Sequence, residues 1–296
     1  MPIQFIKLFT YVSFALLAFA GNSVLCRLAL GQGLIDASSF TSLRLLSGVL
    51  TLIVISLVLN RGSGSVVIRQ LTKQNTTKTW LASLMLFVYA ATFSYAYISL
   101  DTGTGALILF GMVQLSMIMI GALYGNKLHY SEWLGILVAF AGVVYLVKPN
   151  LSTPSFLGFV LMALSGVAWA IYTLLGRGSK QPILDTSANF LRTIPFVVVL
   201  ILFTVHDAQL TNWGIIYSIL SGAVTSAVGY AIWYLVLKDL TVTQAAVLQL
   251  LVPILAALGG VLFVSEMISM RLVISSLLVL GGILMVIIGR RFLVRR

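Results

Sequence analysis

Acidic residues are scarce in this chain. Only 7 aspartates and glutamates stand against 18 lysines and arginines, and charged residues of both signs make up 8% of 296 positions, whereas 60% are hydrophobic. So few charges cannot cover a water-exposed surface, so the composition excludes soluble domains and predicts a membrane protein. The bases are not clustered as a nucleic-acid-binding face would need, and no nucleic-acid partner is expected.

Residues that commonly carry out catalysis or hold metals are also few. Cys26 is the single cysteine, so no internal disulfide can form. His129 and His206 lie at the ends of apolar runs, and no HExxH or comparable cluster occurs. A membrane-embedded enzyme would need a nucleophile with a base, or metal ligands at depth. The sequence therefore predicts no catalytic residues, no metal and no cofactor.

Long uncharged runs divide the chain into ten spans. A hydrocarbon core needs roughly 20 apolar residues, and the shorter runs reach this length across flanking polar positions. Helices are expected, because lipid offers no partner for backbone amides and no alternating pattern suggests a barrel. The predicted fold is an all-α integral membrane protein with ten transmembrane helices in the lipid bilayer. The runs are 8–26, 45–60, 79–100, 102–126, 133–147, 149–176, 193–206, 208–237, 240–265 and 272–289.

Lysine and arginine are distributed unevenly between the two sides of these spans. Only Lys148 and Arg271 fall on the side away from the termini. Excess bases mark cytoplasmic segments, so both termini are expected in the cytoplasm and the protein in the cell (inner) membrane. The bases on the termini's side are Lys7, Arg61, Arg69, Lys73, Lys78, Lys127, Arg177, Lys180, Lys238, Arg290, Arg291, Arg295 and Arg296.

The first span could also be interpreted as a signal peptide. Residues 8–20 are apolar and end in Ala18-Phe19-Ala20, which fits the small-residue pattern of a cleavage site. Apolar sequence continues past that point to Leu30, and the segment has a counterpart in the sixth span. The interpretation as a transmembrane helix is therefore favoured.

The two halves of the chain repeat one another. The stretch from Asp101 aligns without a gap with the stretch from Thr241, placing Gly142 under Gly282, and the first span matches the sixth with Gly21 under Gly166. Two five-span halves must be inverted, because an odd number of spans returns the chain to the opposite face. The predicted repeats are 1–149 and 150–296, an arrangement typical of transporters.

Two arginines lie inside spans at matching positions of the halves. Arg44 in the second span aligns with Arg192 in the seventh, each about eight residues from the span's start. A charge at that depth is costly unless it reaches the interface, pairs or faces water. The pair is therefore either structural, with each side chain extending to the nearer interface, or functional.

Polar and aromatic side chains recur within the spans. Gln114 and Gln249 are predicted to point inward, for hydrogen bonding between helices or for substrate contact, because an amide in lipid must find partners. Aromatic residues inside the spans either line a cavity or extend an interfacial belt. The candidate substrate-binding residues are Asn22, Tyr97, Gln114, Trp169, Tyr172, Tyr230, Trp233 and Gln249.

The ninth span carries further special positions. Pro253 leaves the carbonyl of Gln249 without its amide partner, which predicts a kink and a hinge. The polar residues that open the fourth and ninth spans, Asp101-Thr102 and 241–243, are expected to cap the free amides of the first turn. Glu266, at the other end of the ninth span, is interpreted as a solvated acid with Arg271 as its candidate partner.

The run LQLLVPILAALGGVLFVSE at 248–266, together with the paired glycines and arginines, resembles the EamA type of the drug/metabolite transporter superfamily. This resemblance covers the whole chain. It implies a ten-helix exporter of small metabolites with a central cavity lined by spans one, three, four, six, eight and nine. The first half departs from the family pattern, with Val113 where proline is frequent and Asn126 where glutamate is frequent, so the halves need not move alike.

The expected mechanism is alternating access around a site in mid-membrane. None of the seven acids lies in mid-span, so no buried carboxylate is available for proton exchange, and facilitated export is the simpler mechanism. The expected substrates are small molecules, either amino acids and related compounds or drugs. Arg44 and Arg192 would instead suit an anionic substrate. A lipid-handling or non-transporting protein on the same fold is the alternative, and a monomer or a homodimer is expected.

Overall fold

The computed structural model describes residues 2–59, 76–124, 129–147, 155–176, 179, 181–237, 239–240 and 242–293. Most of residues 60–78, which connect the second and third predicted spans, lies outside this set. Part of the predicted cap at 241–243 and the repeat boundary at 149–150 also lie outside it. Several of the bases and polar residues used above also lie outside them: Arg61, Arg69, Lys73, Asn126, Lys127, Lys148, Arg177, Lys180, Lys238, Arg295 and Arg296.

Over the described residues the chain is almost entirely helical, and its helices correspond to the ten predicted spans. Nine segments are long and apolar enough to cross a membrane, and Glu132–Val147 adds a shorter apolar helix. The fold class, an all-α integral membrane protein with ten transmembrane helices, is confirmed. The helices are α1 (Pro2–Gly31), α2 (Ala37–Leu59), α3 (Thr77–Ala96), α4 (Thr102–Leu123), α5 (Tyr130–Val147), α6 (Phe156–Gly176), α7a (Pro182–Leu191), α7b (Ile194–Thr204), α8a (Asn212–Leu220), α8b (Gly229–Val236), α9a (Val242–Gln249), α9b (Leu251–Val264) and α10 (Met270–Leu293).

Three of the ten membrane helices are interrupted, all of them in the second half. Helix α7 breaks at Arg192 and Thr193, just before Pro195, and α9 breaks at Leu250, three residues before Pro253. Proline removes an amide donor and pushes against the preceding turn, which explains both breaks. The kink predicted near Pro253 is therefore present. Helix α8 instead continues through a π-helical stretch, Ser221–Val228, a form frequent at functional sites.

Helix contacts between the two halves are reciprocal. Helix α1 contacts α8 and α9, and its counterpart α6 contacts α3 and α4. The pairs α2 with α7, α4 with α9 and α5 with α10 also cross between the halves. Exchanging every helix for the one five places away leaves these pairs unchanged, as two related five-helix halves require, although the α4–α10 contact has no α5–α9 counterpart of similar extent in the described part of the chain. The boundaries 1–149 and 150–296 stay a prediction.

The two ends of the bundle differ. We call the end where α1 begins and α10 ends the terminal end, and the opposite end the distal end. At the distal end, the α1–α2 and α7–α8 connections are hydrogen-bonded to each other: Asp36 N–H donates to Gln209 O at 3.2 Å, and Thr211 N–H donates to Leu34 O at 3.1 Å.

The carboxyl of Asp36 lies at this contact. Partial burial opposes its ionisation, but hydrogen bonds from Ser38, from the Ser39 amide and from the Gln209 amide outweigh this effect and hold the pKa of Asp36 below its usual value.

Helices α2 and α8 touch through their backbones at Gly222, in the π-helical stretch. A Cβ at Gly222 would lie 2.0 Å from the carbonyl oxygen of Arg44 and 2.1 Å from Oγ of Ser47. Only glycine fits a contact this close, and the contact fixes the part of α2 that carries Arg44.

We expect Gly222→Ala to lower the stability of the folded protein by about 1–3 kcal/mol, because the added methyl group must push α8 away from α2. The matched control is Gly281→Ala in α10, since nothing lies within 4 Å of a Cβ built there. Thermal unfolding of the purified variants in detergent measures both changes. Equal melting temperatures for the two variants would contradict this account of the α2–α8 contact.

Candidate substrate cavity

A cavity of about 410 Å³ lies between the two halves. Its wall comes from α1, α3, α4, α6, α8 and α9, the six helices that the resemblance implies, with Ser179 and Leu240 added from connections and Pro182 from the start of α7a. None of the described lining residues is charged at neutral pH. They are Phe19, Asn22, Ser23, Tyr89, Phe93, Leu109, Phe110, Val113, Gln114, Met117, Trp169, Thr173, Leu174, Gly176, Ser179, Pro182, Thr225, Tyr230, Trp233, Tyr234, Leu237, Leu240, Ala245 and Gln249.

Six of the eight candidate substrate-binding residues line this cavity: Asn22, Gln114, Trp169, Tyr230, Trp233 and Gln249. The structure places Tyr97 and Tyr172 elsewhere. Tyr97 is fully buried near the distal end, where its hydroxyl donates to the carbonyl oxygen of Thr102 at 3.2 Å. Tyr172 is buried one turn beyond Trp169, with 5.3 Å between their ring centroids. Helical spacing turns these two side chains away from the wall that their neighbours form.

Aromatic rings form a continuous wall on one side of the cavity. The Trp169 ring lies 4.6 Å from Tyr89 and 5.0 Å from Tyr230, centroid to centroid. Phe19 lies 5.8 Å from Tyr230 and 5.7 Å from Trp233. Such rings offer broad apolar faces with a few polar edges, which suits a flat, largely apolar ligand.

The mid-span glutamines of α4 and α9, Gln114 and Gln249, both reach this cavity. Gln114 and Gln249 form no side-chain hydrogen bond with any residue in the described part of the chain. A buried amide needs a partner, so water or a bound ligand must supply it. Neither amide bonds another helix among the described residues, and substrate contact stays a prediction.

Five polar residues at the cavity form what we call the Arg44 cluster: Asn22, Tyr89 and Tyr230, which line the cavity, and Arg44 and Ser226 behind them. Arg44 is only 2% exposed; its Nη2 donates to the Tyr89 hydroxyl at 2.9 Å and its Nε to Ser226 Oγ at 3.3 Å. Tyr230 OH and Asn22 Nδ2 also donate to the Tyr89 oxygen, at 3.4 and 3.5 Å. Arg44 therefore does not extend to an interface but is held in the protein core beside the cavity.

Ser221 and Thr225 of the π-helical stretch fix the amide of Asn22. Both hydroxyls donate to its Oδ1, at 2.6 and 3.3 Å. The amide oxygen of Asn22 is thereby occupied, and its NH₂ group is directed toward Tyr89 and the cavity. The sequence signal at these positions is a repeat of Ser221, Thr225 and Gly229 every four residues, which by itself is typical of close helix packing.

Arg192, the sequence counterpart of Arg44, has a different environment. It caps the C-terminus of α7a at the helix break, is only partly buried and is not among the lining residues. The two arginines thus occupy equivalent sequence positions without sharing a role, because α7 breaks where α2 continues.

The cavity opens toward one end of the bundle. Its deep part is formed by Asn22, Tyr89, Phe93 and Thr225, in the middle of α1, α3 and α8. The remaining wall extends to the terminal end, where the α6–α7 and α8–α9 connections contribute Ser179 and Leu240 among others. A solute can therefore approach the site from the terminal end.

At the distal end, polar contacts that we call the distal closure hold α1, α4 and α9 together. The guanidinium of Arg27 donates to Glu266 at 3.1 Å and to the carbonyl oxygens of Tyr97 and Ile98, both at 3.2 Å. The Glu266 carboxylate accepts the Thr102 amide at 2.9 and 3.1 Å. These contacts join the ends of the three helices over the deep part of the cavity.

Two sequence interpretations are corrected here. Glu266 is not a solvated acid: its side chain is 13% exposed and pairs with Arg27. Asp101 does not cap α4, since its side chain accepts no cap hydrogen bond; Glu266 caps that helix from a different segment.

The reason for the change of partner is a tight turn. Ser265 adopts a left-handed conformation with φ 59°, which ends α9b and turns the chain back toward Thr102. The sequence signal for this contact was Glu266 itself, in the connection that follows α9b and its Gly259–Gly260 pair. The identity of its partner depends on how α1 and α4 pack against α9, which no local pattern specifies.

Comparisons with known proteins place the chain among transporters. The sequence profile of the EamA-like transporter family matches residues 156–288, within the second predicted repeat. An uncharacterised protein of Pseudomonas aeruginosa is 46% identical over 87% of this chain and 86% of its own length. A protein of Archaeoglobus fulgidus named as an uncharacterised transporter is 29% identical over 64% of this chain and 69% of its own length.

Two further similarities concern function and fold. A probable amino-acid metabolite efflux pump of Escherichia coli is 29% identical over 50% of this chain and 55% of its own length. One solved crystal structure matches with a TM-score of 0.63, covering 95% of this chain and 99% of that chain at 19% identity. At that identity the structural match shows the fold alone.

We expect Arg27 and Glu266 to depend on one another energetically. Arg27→Gln or Glu266→Gln should each lower stability, because each leaves a largely buried charge without its partner. The double variant should lose less than the sum of the single losses, with a coupling of about 0.5–3 kcal/mol in a thermal-unfolding cycle.

The control for this cycle is Asp101→Asn. Asp101 also lies near Arg27, at 3.4 Å, but its side chain is 63% exposed and solvent screens the pair. Strict additivity of the Arg27 and Glu266 variants, or a coupling no larger than that between Arg27 and Asp101, would refute the distal closure as described.

Proposed function

The chain belongs to the EamA-like transporter family of the drug/metabolite transporter superfamily, and from that premise we propose that it exports small metabolites across the cell's inner membrane by alternating access. The family and the names of the relatives indicate a membrane transporter rather than an enzyme. Amino acids and related compounds are proposed as substrates, in line with the name of the Escherichia coli relative, and drugs as the second class.

The observation that carries this proposal is the asymmetry of the cavity. It reaches the terminal end, while the distal closure covers the opposite end. With both termini in the cytoplasm, as the basic residues predict, the cavity faces inward and is ready to take up a cytoplasmic substrate. Export then requires that the distal closure opens and the terminal end closes.

We propose Pro253 as the hinge for the opening of the distal closure. The break at Leu250 separates α9a, which carries Gln249 on the cavity wall, from α9b, which leads to Glu266 in the distal closure. Motion at the break therefore couples substrate contact to the closure. Its counterpart in the first half is Val113, inside an uninterrupted α4, so we propose that α9 moves more than α4.

The location of the acids supports export without proton exchange at a carboxylate of the cavity, because no acid is among the described lining residues. Glu132 is buried, at 1% exposed, but lies in the first turn of α5, as Asp185 does in α7a, and the other five acids lie between the membrane helices. We propose facilitated export down a concentration gradient, with substrate held by amides and aromatic faces. Strict dependence of transport on a proton gradient in reconstituted vesicles would overturn this part of the proposal.

The orientation can be tested with single cysteines. Cys26 is fully buried, so the wild type should not react with a membrane-impermeant thiol reagent on intact cells. Met267→Cys, at a distal position that is 93% exposed, should react on intact cells. Leu240→Cys, on the cavity wall at the terminal end, should react only in inverted vesicles or opened cells. The reverse pattern would invert the proposed orientation.

The function can be tested by comparing the small molecules that accumulate outside cells overexpressing the wild type or Gln249→Leu. A compound enriched only with the wild type is the expected result, because the variant replaces a cavity amide by an apolar group of similar size. The matched control is Gln244→Leu on the same helix, since exposed Gln244 is not among the lining residues.

Each other outcome points elsewhere. Enrichment with both Gln249→Leu and the wild type would keep the exporter but remove Gln249 from the site. No enrichment with any variant, followed by movement of labelled lipid in reconstituted vesicles, would favour a lipid-handling protein and overturn the proposed function.

A further inference from the structure

The charge of Arg44 is not neutralised by any carboxylate side chain of the protein. All seven acids and Arg44 belong to the described residues, and no carboxylate lies within 4.0 Å of the Arg44 guanidinium. Two aromatic rings approach the guanidinium instead, Phe93 at 4.9 Å and Tyr89 at 5.2 Å. Its Nη1 is buried and has no hydrogen-bond partner among the described residues. A buried cation in a membrane protein normally pairs with an anion, so the protein leaves this charge for something else to balance.

A second feature of the Arg44 cluster also points to a missing acceptor. The Tyr89 oxygen receives hydrogen bonds from Arg44, Tyr230 and Asn22, and neither tyrosine hydroxyl has another partner in the described part of the chain. Between them the two hydroxyls carry two protons and share one hydrogen bond. Whichever of them donates in that bond, one phenolic proton remains without an acceptor. Both rings line the deep part of the cavity, so an acceptor must come from a bound molecule.

The deep part of the cavity offers donors rather than acceptors. The oxygen of Asn22 is occupied by Ser221 and Thr225, which leaves its NH₂ group directed to the Tyr89 side. Arg44 polarises the Tyr89 hydroxyl that it donates to, and hydrogen bonds with a charged group behind them are the stronger ones. No aspartate or glutamate lines the cavity to receive an ammonium group. This arrangement is suited to a negatively charged group and not to a positively charged one.

The rest of the cavity specifies the body of the ligand. Trp169, Tyr230 and Trp233 present ring faces next to the Arg44 cluster, and the amides of Gln114 and Gln249 are the remaining polar contacts toward the terminal end. An anionic group at the deep end with a flat apolar body against these rings would use both features at once.

From these observations we propose that the substrate is an organic carboxylate with a flat, aromatic or largely apolar body. Its carboxylate accepts a hydrogen bond from the unpaired hydroxyl of the Tyr89–Tyr230 pair and balances the charge of Arg44. The inference rests on the proposed function, since it names the substrate class of the same cavity. Arg44 acts through Tyr89 and does not itself line the wall. Amino acids would bind less well than the corresponding acids without an amino group, because their ammonium group finds no carboxylate.

Four matched probes test the proposal on the purified full-length protein: 3-phenylpropionate, its neutral amide, phenylalanine and 2-phenylethylamine. Binding is measured by isothermal titration calorimetry. We expect the carboxylate to bind about tenfold more tightly than the amide, as for a hydrogen bond to a charged group, with phenylalanine weaker and the amine weakest. An amide or amine that binds wild type as tightly as the carboxylate, or no binding of any probe, overturns the inference.

Variants then separate the charge from the fold. Arg44→Gln and Tyr89→Phe should each remove most of the preference for the carboxylate over the amide, whereas Arg44→Lys should keep part of it. Arg192→Gln should leave the preference unchanged, because Arg192 belongs neither to the cavity wall nor to the Arg44 cluster. If Arg44→Gln does not yield folded protein by thermal unfolding, Tyr89→Phe decides. Folded variants that retain the full preference refute the proposal.

Flux of the same probes in reconstituted vesicles distinguishes the two levels of the argument. Passage of the amide or the amine without preference for the carboxylate would end the substrate assignment and leave the transporter intact. Binding of the carboxylate without passage of any probe would retain the site but contradict the proposed export.

Discussion

Lipid neither hydrogen-bonds nor solvates polar groups, and this constraint decides where every polar side chain in the bundle lies. Asn22, Arg44 and Tyr89 sit deep within the helices and can do so only because they bind one another. The backbone contact at Gly222 brings α8 close enough to α2 to add Ser226 to this set. The cavity borders this set at Asn22, Tyr89 and Tyr230, and the polar group of the proposed ligand would add the missing hydrogen bond there.

The same constraint explains the distal closure. The first amides of α4 need acceptors, and the carboxylate of Glu266 accepts one of them, from Thr102, while it pairs with Arg27. One acid therefore satisfies a helix end and balances a cation, and in the transport cycle proposed above both contacts would be lost together on opening of the distal end. Under that proposal new contacts offset the loss, and substrate bound beside α9a would be one source of them.

The halves of the chain are related in sequence but differ in the continuity of their helices and in the surroundings of matching residues. Arg44 lies within a continuous helix and in the core, whereas Arg192 ends a broken helix. Val113 lies in an uninterrupted α4, and its counterpart Pro253 follows the break in α9. Breaks and the π-helical stretch are confined to the second half among the described helices. A structurally stiff half and a more irregular half would make the alternating motion unequal.

The sequence by itself determined the features that follow from composition and period: a membrane protein, ten helices, the internal repeat and the interruption near Pro253. It also proposed eight candidate residues, of which six line the cavity. These depend on hydropathy and local backbone chemistry, which are written along the chain. Only the tertiary structure decided that Tyr97 and Tyr172 leave the wall, that Glu266 binds Arg27, and that Arg44 and Arg192 differ. Those outcomes depend on helix rotation and on partners up to 239 residues apart in the chain, and a local pattern carries no information on either.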